Sequence, residues 1–247
     1  MQAPIPSRPA LAVPPNPDVY RQLSPRRTIR DFSDRPIDPE LLERIVQAAG
    51  DAPSSLGVQP YEVHLVVRPD LRGQLATACN GQRAARSAQA LVVFVVSVNI
   101  TRRRIEESRK YYQSAPLSEK SRAYHLAGLN RLSLSLSPWL LPILSVASGL
   151  LSWVQPSRSM LPIGTQGARS WAARAAMLAA QTMVMAASEH DVDACPMEGF
   201  AGAQVAQTLA LPHGAVPTLV VALGYRATDA RVEPRFRRTA AQMITTH

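Results

Sequence analysis

The feature that most constrains the fold is a continuous apolar run from Ala90 to Val96. It contains no charged or hydrogen-bonding side chain, which is typical of a central strand buried on both faces. Before this run, over residues 61–68, apolar and polar side chains alternate, and this pattern predicts a strand with one buried face. Its apolar positions are Tyr61, Val63, Leu65 and Val67, and its polar-face positions are Glu62, His64, Val66 and Arg68. A further apolar strand is predicted over residues 216–225.

Two helices are well marked in the sequence. Asp38, Pro39 and Glu40 supply an N-cap, a proline in the first helical position and an acid in the first turn. Apolar residues then follow at helical spacing up to Gly50. The second helix, predicted from Arg169 to His190, is so rich in alanine that it leaves little room for a polar face, so we expect it to be buried on most sides. Further helices are predicted at residues 69–79 and 101–131.

Composition places the chain among soluble globular proteins, with 46% hydrophobic and 18% charged residues. Its 247 residues suit one large domain, which we expect over residues 19–247, after a proline-rich arm at residues 1–18. The formal net charge of +9 favours anionic partners. Nucleic acid is not expected, because the arginines are not interleaved with aromatic residues and no binding motif is present.

The two cysteines, Cys79 and Cys195, form no CxxC pair and no cluster with histidine. This pattern argues against a zinc site or a disulfide scaffold, and a reducing cytoplasm is the simplest setting. His64 has no visible partner and is expected to be structural rather than catalytic. No metal site is therefore expected.

Residues 132–157 contain no charged side chain, which raises the question of a membrane span. Serines and three prolines interrupt the stretch, so we expect short apolar groups rather than one sustained helix, and no crossing. The favoured interpretation is a lid-like or dimer-facing excursion within residues 100–165. Contact of residues 132–157 with a membrane surface is the less favoured alternative.

The stretch from Arg26 to Phe32 contains three guanidinium groups and a hydroxyl within five residues. Such a cluster suits an anionic, phosphorylated ligand, because guanidinium groups form charge-assisted, bidentate hydrogen bonds with phosphate oxygens. A solvated basic turn is the alternative on residue types alone.

Several motifs, taken together and in order, resemble the signatures of the nitroreductase family of flavin enzymes. They are Arg26-Arg27-Thr28-Ile29-Arg30-Asp31-Phe32, Ala52-Pro53-Ser54-Ser55 with Gln59-Pro60-Tyr61, Cys195-Pro196-Met197-Glu198-Gly199-Phe200, Val216-Pro217 leading to Leu223-Gly224-Tyr225, and an Arg-x-Arg tail. The resemblance implies an α+β fold with a central mixed, mainly antiparallel sheet flanked by helices. It also implies an intertwined homodimer with FMN at each of two interfacial sites. Residues 100–165 carry no match.

The resemblance assigns the phosphate end of the cofactor to the arginine cluster. Arg26 and Thr28 would lie near the FMN phosphate and ribityl chain, with Arg27 contributing chiefly its backbone. Arg235 and Arg237 would close on the phosphate. Gln82 would supply a further ribityl contact, with Asn80 as the alternative.

The ring end of the cofactor is assigned to three other segments. Arg30 would face the pyrimidine edge of the ring, where the family often has lysine. Residues Pro53, Ser54 and Ser55 would contact the flavin from the partner subunit, and Pro196, Met197, Glu198 and Gly199 would run along the ring. The backbone N–H groups of Glu198 and Gly199 would reach the flavin N5 and O4. A second departure is Gly57, where asparagine is common in the family.

The function that the resemblance implies is an FMN-dependent oxidoreductase. It would take hydride from NADH or NADPH through flavin N5 and pass electrons to a small-molecule acceptor such as a nitroaromatic or a quinone. Glu198, Gly199 and Arg30 would act on the reacting ring. Azoline dehydrogenation, dehalogenation, flavin fragmentation and a non-catalytic flavin-binding regulatory or storage role remain alternatives.

Overall fold

A computed structural model describes residues 26–154 and 162–247, and the proline-rich arm at 1–18 lies outside these described residues. Four strands form one sheet in the order β1-β2-β4-β3: β1 Glu62–Val66, β2 Ala90–Val96, β3 Asp193–Met197 and β4 Val216–Gly224. Every neighbouring pair is antiparallel, and Phe94 of β2 lies opposite Val63 of β1 and Leu219 of β4. β2 is therefore a central strand, as its sequence predicts.

Helices connect and cover the strands. Their bounds are α1 Pro39–Gln47, α2 Pro69–Ala78, α3 Arg83–Ser87, α4 Val98–Ser114, α5 Glu119–Ser135, α6 Leu141–Val154, α7 Gly164–Glu189, α8 Gly202–Thr208 and α9 Ala240–Met243, with 3-10 turns at Ala48–Asp51 and Ser55–Gly57. The predicted cap of α1 is present, since the Asp38 side chain accepts a hydrogen bond of 2.9 Å from the Leu41 N–H.

The apolar faces of β2 explain how the layers form. Val92 and Phe94 point to one side of the sheet, where α1 and α7 cover them. Leu91 and Val93 point to the other side, where they pack with buried residues of α2, α3 and α8. A strand without any polar face can be stable only when helices exclude water from both sides. The helix pair α4 and α5 builds a third cluster beside this sandwich.

The segment that carries the arginine cluster lies along the edge strand β3. Ile29 and Phe32 are buried on one side of the sheet, while Arg30 between them is exposed. Thr28 forms a parallel bridge to Ala194, and Phe32 forms an antiparallel bridge to Arg226. This parallel contact makes the assembly mixed but mainly antiparallel, and the predicted α+β fold class is confirmed.

The first predicted strand is shorter than expected, and its burial alternation is wrong. Val66, assigned to the polar face, is buried, whereas Leu65 and Val67 are exposed. The physical reason is that different layers cover the two ends of this edge strand: Tyr61 packs with the α1 and α7 side, and Val66 packs with the α2 side. His64 is half-buried and lies 3.6 Å from Glu62.

Two helix predictions also need correction. α7 begins earlier than expected, at Gly164. Most of its sides are buried or half-buried, and one stripe, formed by Arg174, Leu178 and Gln181, is exposed in the single chain. Leu141–Val154 forms one sustained helix rather than short groups, since Pro142 falls in its first turn, where proline is tolerated. No helix within the described residues is long and apolar enough to cross a membrane.

The position of Phe32, and with it the arginine segment, depends on Gly224. A Cβ at residue 224 would lie 2.8 Å from the Phe32 ring, so Gly224→Ala should displace Phe32 and lower the free energy of unfolding by about 1–3 kcal/mol. Urea denaturation measures this change.

Gly73→Ala is the matched control for that substitution. Residue 73 lies inside α2, and nothing comes within 4 Å of its Cβ position. Removing a helix glycine there should raise the free energy of unfolding by up to about 1 kcal/mol. Unchanged stability of Gly224→Ala would show that the glycine does not hold Phe32 in place.

Candidate functional site

An arginine-lined pocket forms where two distant segments of the chain meet. Its volume is about 130 Å³, and its lining comes from Arg26, Arg27, Thr28 and Arg30 on one side and from Val232, Glu233, Pro234, Arg235, Phe236 and Arg237 on the other. The pocket thus brings together five residues that the sequence assigned to the phosphate end of the site, and Arg30, which it assigned to the ring end.

Backbone hydrogen bonds bring the tail to the arginine segment. The Ser33 N–H donates to the Tyr225 carbonyl at 2.8 Å, and the Ala227 N–H donates to the Asp31 carbonyl at 3.0 Å. The chain that leaves β4 therefore runs antiparallel to the arginine segment before it turns over the pocket. Because Ile29 is fully buried, the flanking Thr28 and Arg30 point away from the core.

Electrostatic repulsion marks this pocket as a site for an anion. The pKa of Arg235 is lowered, first by partial loss of hydration and then by the nearby charges of Arg237, Arg27 and Arg26. The contributions of Arg237, Arg27 and Arg26 to this lowered pKa place the four guanidinium groups near one another. A dianionic phosphate would turn this repulsion into attraction, so the donor set fits a phosphate group.

Arg30 is not a partner of the neighbouring carboxylates. Asp31 forms its ion pair with Arg83 at 3.0 Å, and Arg30 has no ion pair within residues 26–154 and 162–247. Arg30 instead lies near Cys195: burial raises the pKa of the Cys195 thiol, and the Arg30 charge partly opposes this rise. The Arg30 charge therefore stays available at the edge of β3.

The turn after β3 is held in place by two side-chain amides. The Gly199 carbonyl accepts hydrogen bonds from Gln82 Nε2 at 2.7 Å and from Asn80 Nδ2 at 3.0 Å. The Ala201 N–H also donates to the Ala78 carbonyl at 2.8 Å. These three bonds fix residues 198–201 against the end of α2.

This fixed turn leaves two donors unused. Within the described residues, the backbone N–H groups of Glu198 and Gly199 have no acceptor, and both residues are exposed. Pro196 is exposed as well, whereas the Met197 side chain is buried in the core. The segment therefore offers a proline surface and two adjacent N–H donors to a ligand, and Met197 contributes only its backbone.

The loop at residues 53–55 lies in a different cavity. This cavity has a volume of about 600 Å³ and is lined by Pro53, Ser54, Ser55, Trp171, Arg174, Ala175, Met177 and Leu178. It shares no lining residue with the arginine pocket. Within one chain, residues 53–55 therefore lie in a different cavity from the predicted site residues of the arginine pocket.

The loop conformation explains the unusual Gly57. Its φ is +65°, and a Cβ there would lie 2.8 Å from the Tyr112 hydroxyl, so a larger residue would require the Tyr112 side chain to shift. The Ser54 hydroxyl accepts a 3.0 Å hydrogen bond from the Gln59 N–H and closes the same loop. The asparagine common in the family would therefore require a different position of the Tyr112 side chain.

Sequence reasoning missed the roles of Asn80 and Arg83. Asn80 precedes Gly81 in an Asn-Gly turn, a signal visible in the sequence, but nothing there indicated the Gly199 carbonyl as its partner. The direct ligand contact predicted for Gln82 stays a prediction, since the structure shows its amide donating to Gly199. No group of three or more potential metal ligands occurs in the described part of the chain.

Comparisons with known proteins identify relatives of this fold. A family model described as the nitroreductase family matches residues 23–225. The NADH dehydrogenase of Thermus thermophilus is 24% identical over 205 residues, covering 83% of this chain and 84% of that protein.

Two solved structures share the fold. The Bacillus subtilis protein YdfN, described as a nitroreductase, aligns with a TM-score of 0.72 at 18% identity, covering 94% of this chain and 99% of that one. A protein of Exiguobacterium sibiricum, also described as a nitroreductase and solved in complex with FMN, aligns with a TM-score of 0.65 at 18% identity. That alignment covers 93% of this chain and 97% of the other.

Proposed function

Because the chain belongs to the nitroreductase family, we propose that it is an FMN-dependent oxidoreductase that uses NADH or NADPH to reduce a small organic acceptor. The observation that carries this proposal is the four-arginine pocket, whose mutual repulsion calls for a phosphate. Bound FMN would supply the redox chemistry, accepting hydride at N5 and delivering electrons to a nitroaromatic or a quinone. The relatives described as a NADH dehydrogenase and as an FMN complex support this choice.

The pocket residues would bind the phosphate end of the cofactor. Arg26, Arg235 and Arg237 would donate to phosphate oxygens, and Thr28 would donate to the phosphate or the ribityl chain. Arg27 lies in the same pocket and adds its charge. Each charge-assisted hydrogen bond contributes about 1.5–3 kcal/mol, so this set can hold a phosphate firmly.

The fixed turn would orient the ring end. Its two free N–H groups, on Glu198 and Gly199, would donate to N5 and O4, and Pro196 would contact the ring face. Asn80 and Gln82 act through the Gly199 carbonyl and are positioning residues, because they hold the donors at a constant angle. Donors held in advance need no reorganisation when charge develops at the ring.

Arg30 would place its guanidinium at the pyrimidine edge of the ring. A positive charge there stabilises electron density gained by the ring and therefore raises its midpoint potential. Asp31, the adjacent carboxylate, is paired with Arg83, and Glu233 of the same pocket is paired with Arg231. A delocalised guanidinium keeps the charge that the lysine of other family members would provide.

A homodimer would complete the site. We propose that Pro53, Ser54 and Ser55 reach the cofactor bound by the partner subunit, since in one chain they lie in a separate cavity. The exposed stripe of α7 beside this loop would then be covered by the second subunit. We further propose a single domain over residues 19–247 and a reducing cytoplasmic setting, with which the free, buried state of both cysteines agrees.

Steady-state kinetics test the proposed activity. Protein reconstituted with FMN should oxidise NADH or NADPH, and an added quinone should accelerate this oxidation strongly. FMN binding without any acceptor-dependent oxidation would instead indicate a storage or regulatory protein.

Substitutions in the fixed turn should separate backbone from side-chain roles. Glu198→Gln should retain FMN and most hydride transfer, because only the Glu198 N–H is used. Gly199→Val should impair both FMN binding and hydride transfer, because a side chain at this position would block the close approach of the ring to the two backbone N–H groups. A Cβ at residue 199 meets only Gln82 Nε2, at an ordinary 3.6 Å, so the turn itself should tolerate the change.

Asn80→Ala with Gln82→Ala extends this test to the positioning residues. The double variant should keep FMN bound through the arginines but slow reduction in stopped-flow measurements, because the turn loses two of its three anchors. An unchanged rate of reduction would contradict the positioning role.

A spectroelectrochemical titration tests Arg30. Arg30→Gln should leave FMN bound but lower its midpoint potential and slow its reduction by NADH or NADPH. Arg68→Gln is the control, since it removes an exposed guanidinium that is paired with Asp70 and does not line the arginine pocket. Equal potentials in wild type and Arg30→Gln would remove Arg30 from the site.

Mixed dimers test whether the site is shared between subunits. One variant would carry Arg26→Ala with Arg237→Ala, and the other would carry Ser55→Trp at an exposed loop position. Neither variant alone should bind FMN normally, but a dimer containing one subunit of each should regain one intact site. No recovery after mixing, or a flavin-loaded monomer in light scattering, would contradict a shared site.

A further inference from the structure

Helix α6, Leu141–Val154, is oriented with its polar side toward the protein. The Ser145 hydroxyl accepts a 3.0 Å hydrogen bond from the Thr165 N–H at the start of α7. Gly164 lets the two helices approach closely, since a Cβ there would lie 2.8 Å from Ser145 Cα and 2.9 Å from the Ser148 hydroxyl. Ser145 and Ser148 therefore lie on the side of α6 that faces α7, together with the half-buried Leu141 and Leu144.

The opposite side of α6 is apolar and bare in the single chain. Ile143, Val146 and Leu150 are 65%, 66% and 70% exposed. Their spacing of three and four residues puts them in one stripe along the helix. Trp139 and Trp153, near the two ends, are 86% and 91% exposed. A contiguous apolar stripe of this kind marks an interaction surface.

The segment of the chain that contains this helix carries charge of one sign. Residues 120–188 contain no aspartate or glutamate at all. They contain six basic residues: Lys120, Arg122, Arg131, Arg158, Arg169 and Arg174. Glu106, which lines a cavity with Pro138 just before α6, is paired with Arg109. The segment itself therefore complements a negatively charged partner.

We propose that α6 binds the surface of an anionic lipid bilayer, lying in the plane of the interface. Its apolar stripe would enter the boundary between headgroups and acyl chains, and the exposed Arg131 would contact lipid phosphates. Tryptophans at both ends fit this position, because their rings favour the headgroup level. The helix is too short to cross, which agrees with the finding that no described helix can span a membrane.

Charge argues against a second copy of this chain on the same stripe. If two copies of the chain met stripe against stripe, the basic segments of both would come together, and neither segment would supply an acidic residue. A bilayer containing acidic lipids offers the opposite charge instead. The proposal does not depend on the cofactor chemistry, because the stripe shares no residue with the arginine pocket.

Vesicle co-sedimentation tests the proposal with full-length, FMN-reconstituted protein. Wild type should bind vesicles of phosphatidylcholine mixed with phosphatidylglycerol about tenfold or more tightly than vesicles of phosphatidylcholine alone. High salt should weaken this binding. Tryptophan emission should shift to shorter wavelength on binding, since two of the three tryptophans are on the exposed stripe or at its ends.

The test variant is Ile143→Ser with Val146→Ser and Leu150→Ser. It should lose at least about tenfold in affinity for the anionic vesicles, since about three buried apolar side chains are removed from the lipid contact. The control changes three exposed apolar residues elsewhere, Val67→Ser with Met243→Ser and Ile244→Ser, and should bind as wild type does. Trp153→Ser provides a single-site variant if the triple variant does not fold.

Three outcomes would overturn the proposal. The first is that wild type does not bind anionic vesicles, or that the stripe variants bind them equally well. The second is that the stripe variants dissociate a dimer in light scattering without lipid, which would assign the stripe to a second copy. The third is that they change the acceptor KM without lipid, which would support the lid expected from the sequence.

Discussion

Repulsion among four guanidinium groups is the interaction on which the rest of the site depends. Arg26, Arg27, Arg235 and Arg237 come from opposite ends of the described chain, and like charges do not gather without a structural cause. The cause is a set of apolar and backbone contacts in the edge segment: buried Ile29, Phe32 packed on Gly224, and hydrogen bonds to the chain that follows β4. These contacts therefore stabilise a preformed anion site at the edge of the sheet, in spite of the repulsion among the four arginines.

The same division between scaffold and site applies to the turn at residues 198–201. β3 buries Cys195 and Met197, and this burial fixes the path of the chain into the turn. The side-chain amides of Asn80 and Gln82, which follow α2, donate to the Gly199 carbonyl of the turn. Neither the arginine pocket nor this turn needs a catalytic acid or base. The structure instead supplies placed donors and charges, which is the contribution a protein makes when a cofactor carries the reaction.

Sequence patterns predicted those features that depend on local or strongly periodic signals. The β2 run and the Asp38 cap are such cases, because their apolar content or capping geometry leaves few alternatives. Val66 was assigned to the wrong face because burial at an edge strand depends on which helix covers each end. Asp31 was open to pairing with Arg30, whereas its partner is Arg83, a choice that only the tertiary arrangement determines. The sequence also could not predict which side of α6 faces the protein, since either its serine side or its apolar side could pack against α7.

The pairing of FMN with the four-arginine pocket is the central claim, and comparing FMN with riboflavin tests it most directly. Riboflavin has the same ring but lacks the phosphate, so titration of the flavin-free protein isolates the contribution of the arginines. We expect wild type to bind FMN far more tightly than riboflavin. Arg26→Ala with Arg237→Ala should weaken FMN by roughly 100-fold or more, at about 1.5–3 kcal/mol per lost charged hydrogen bond, and should leave riboflavin affinity nearly unchanged. Equal affinity of wild type for both flavins, or an equal loss for both in the variant, would contradict the account.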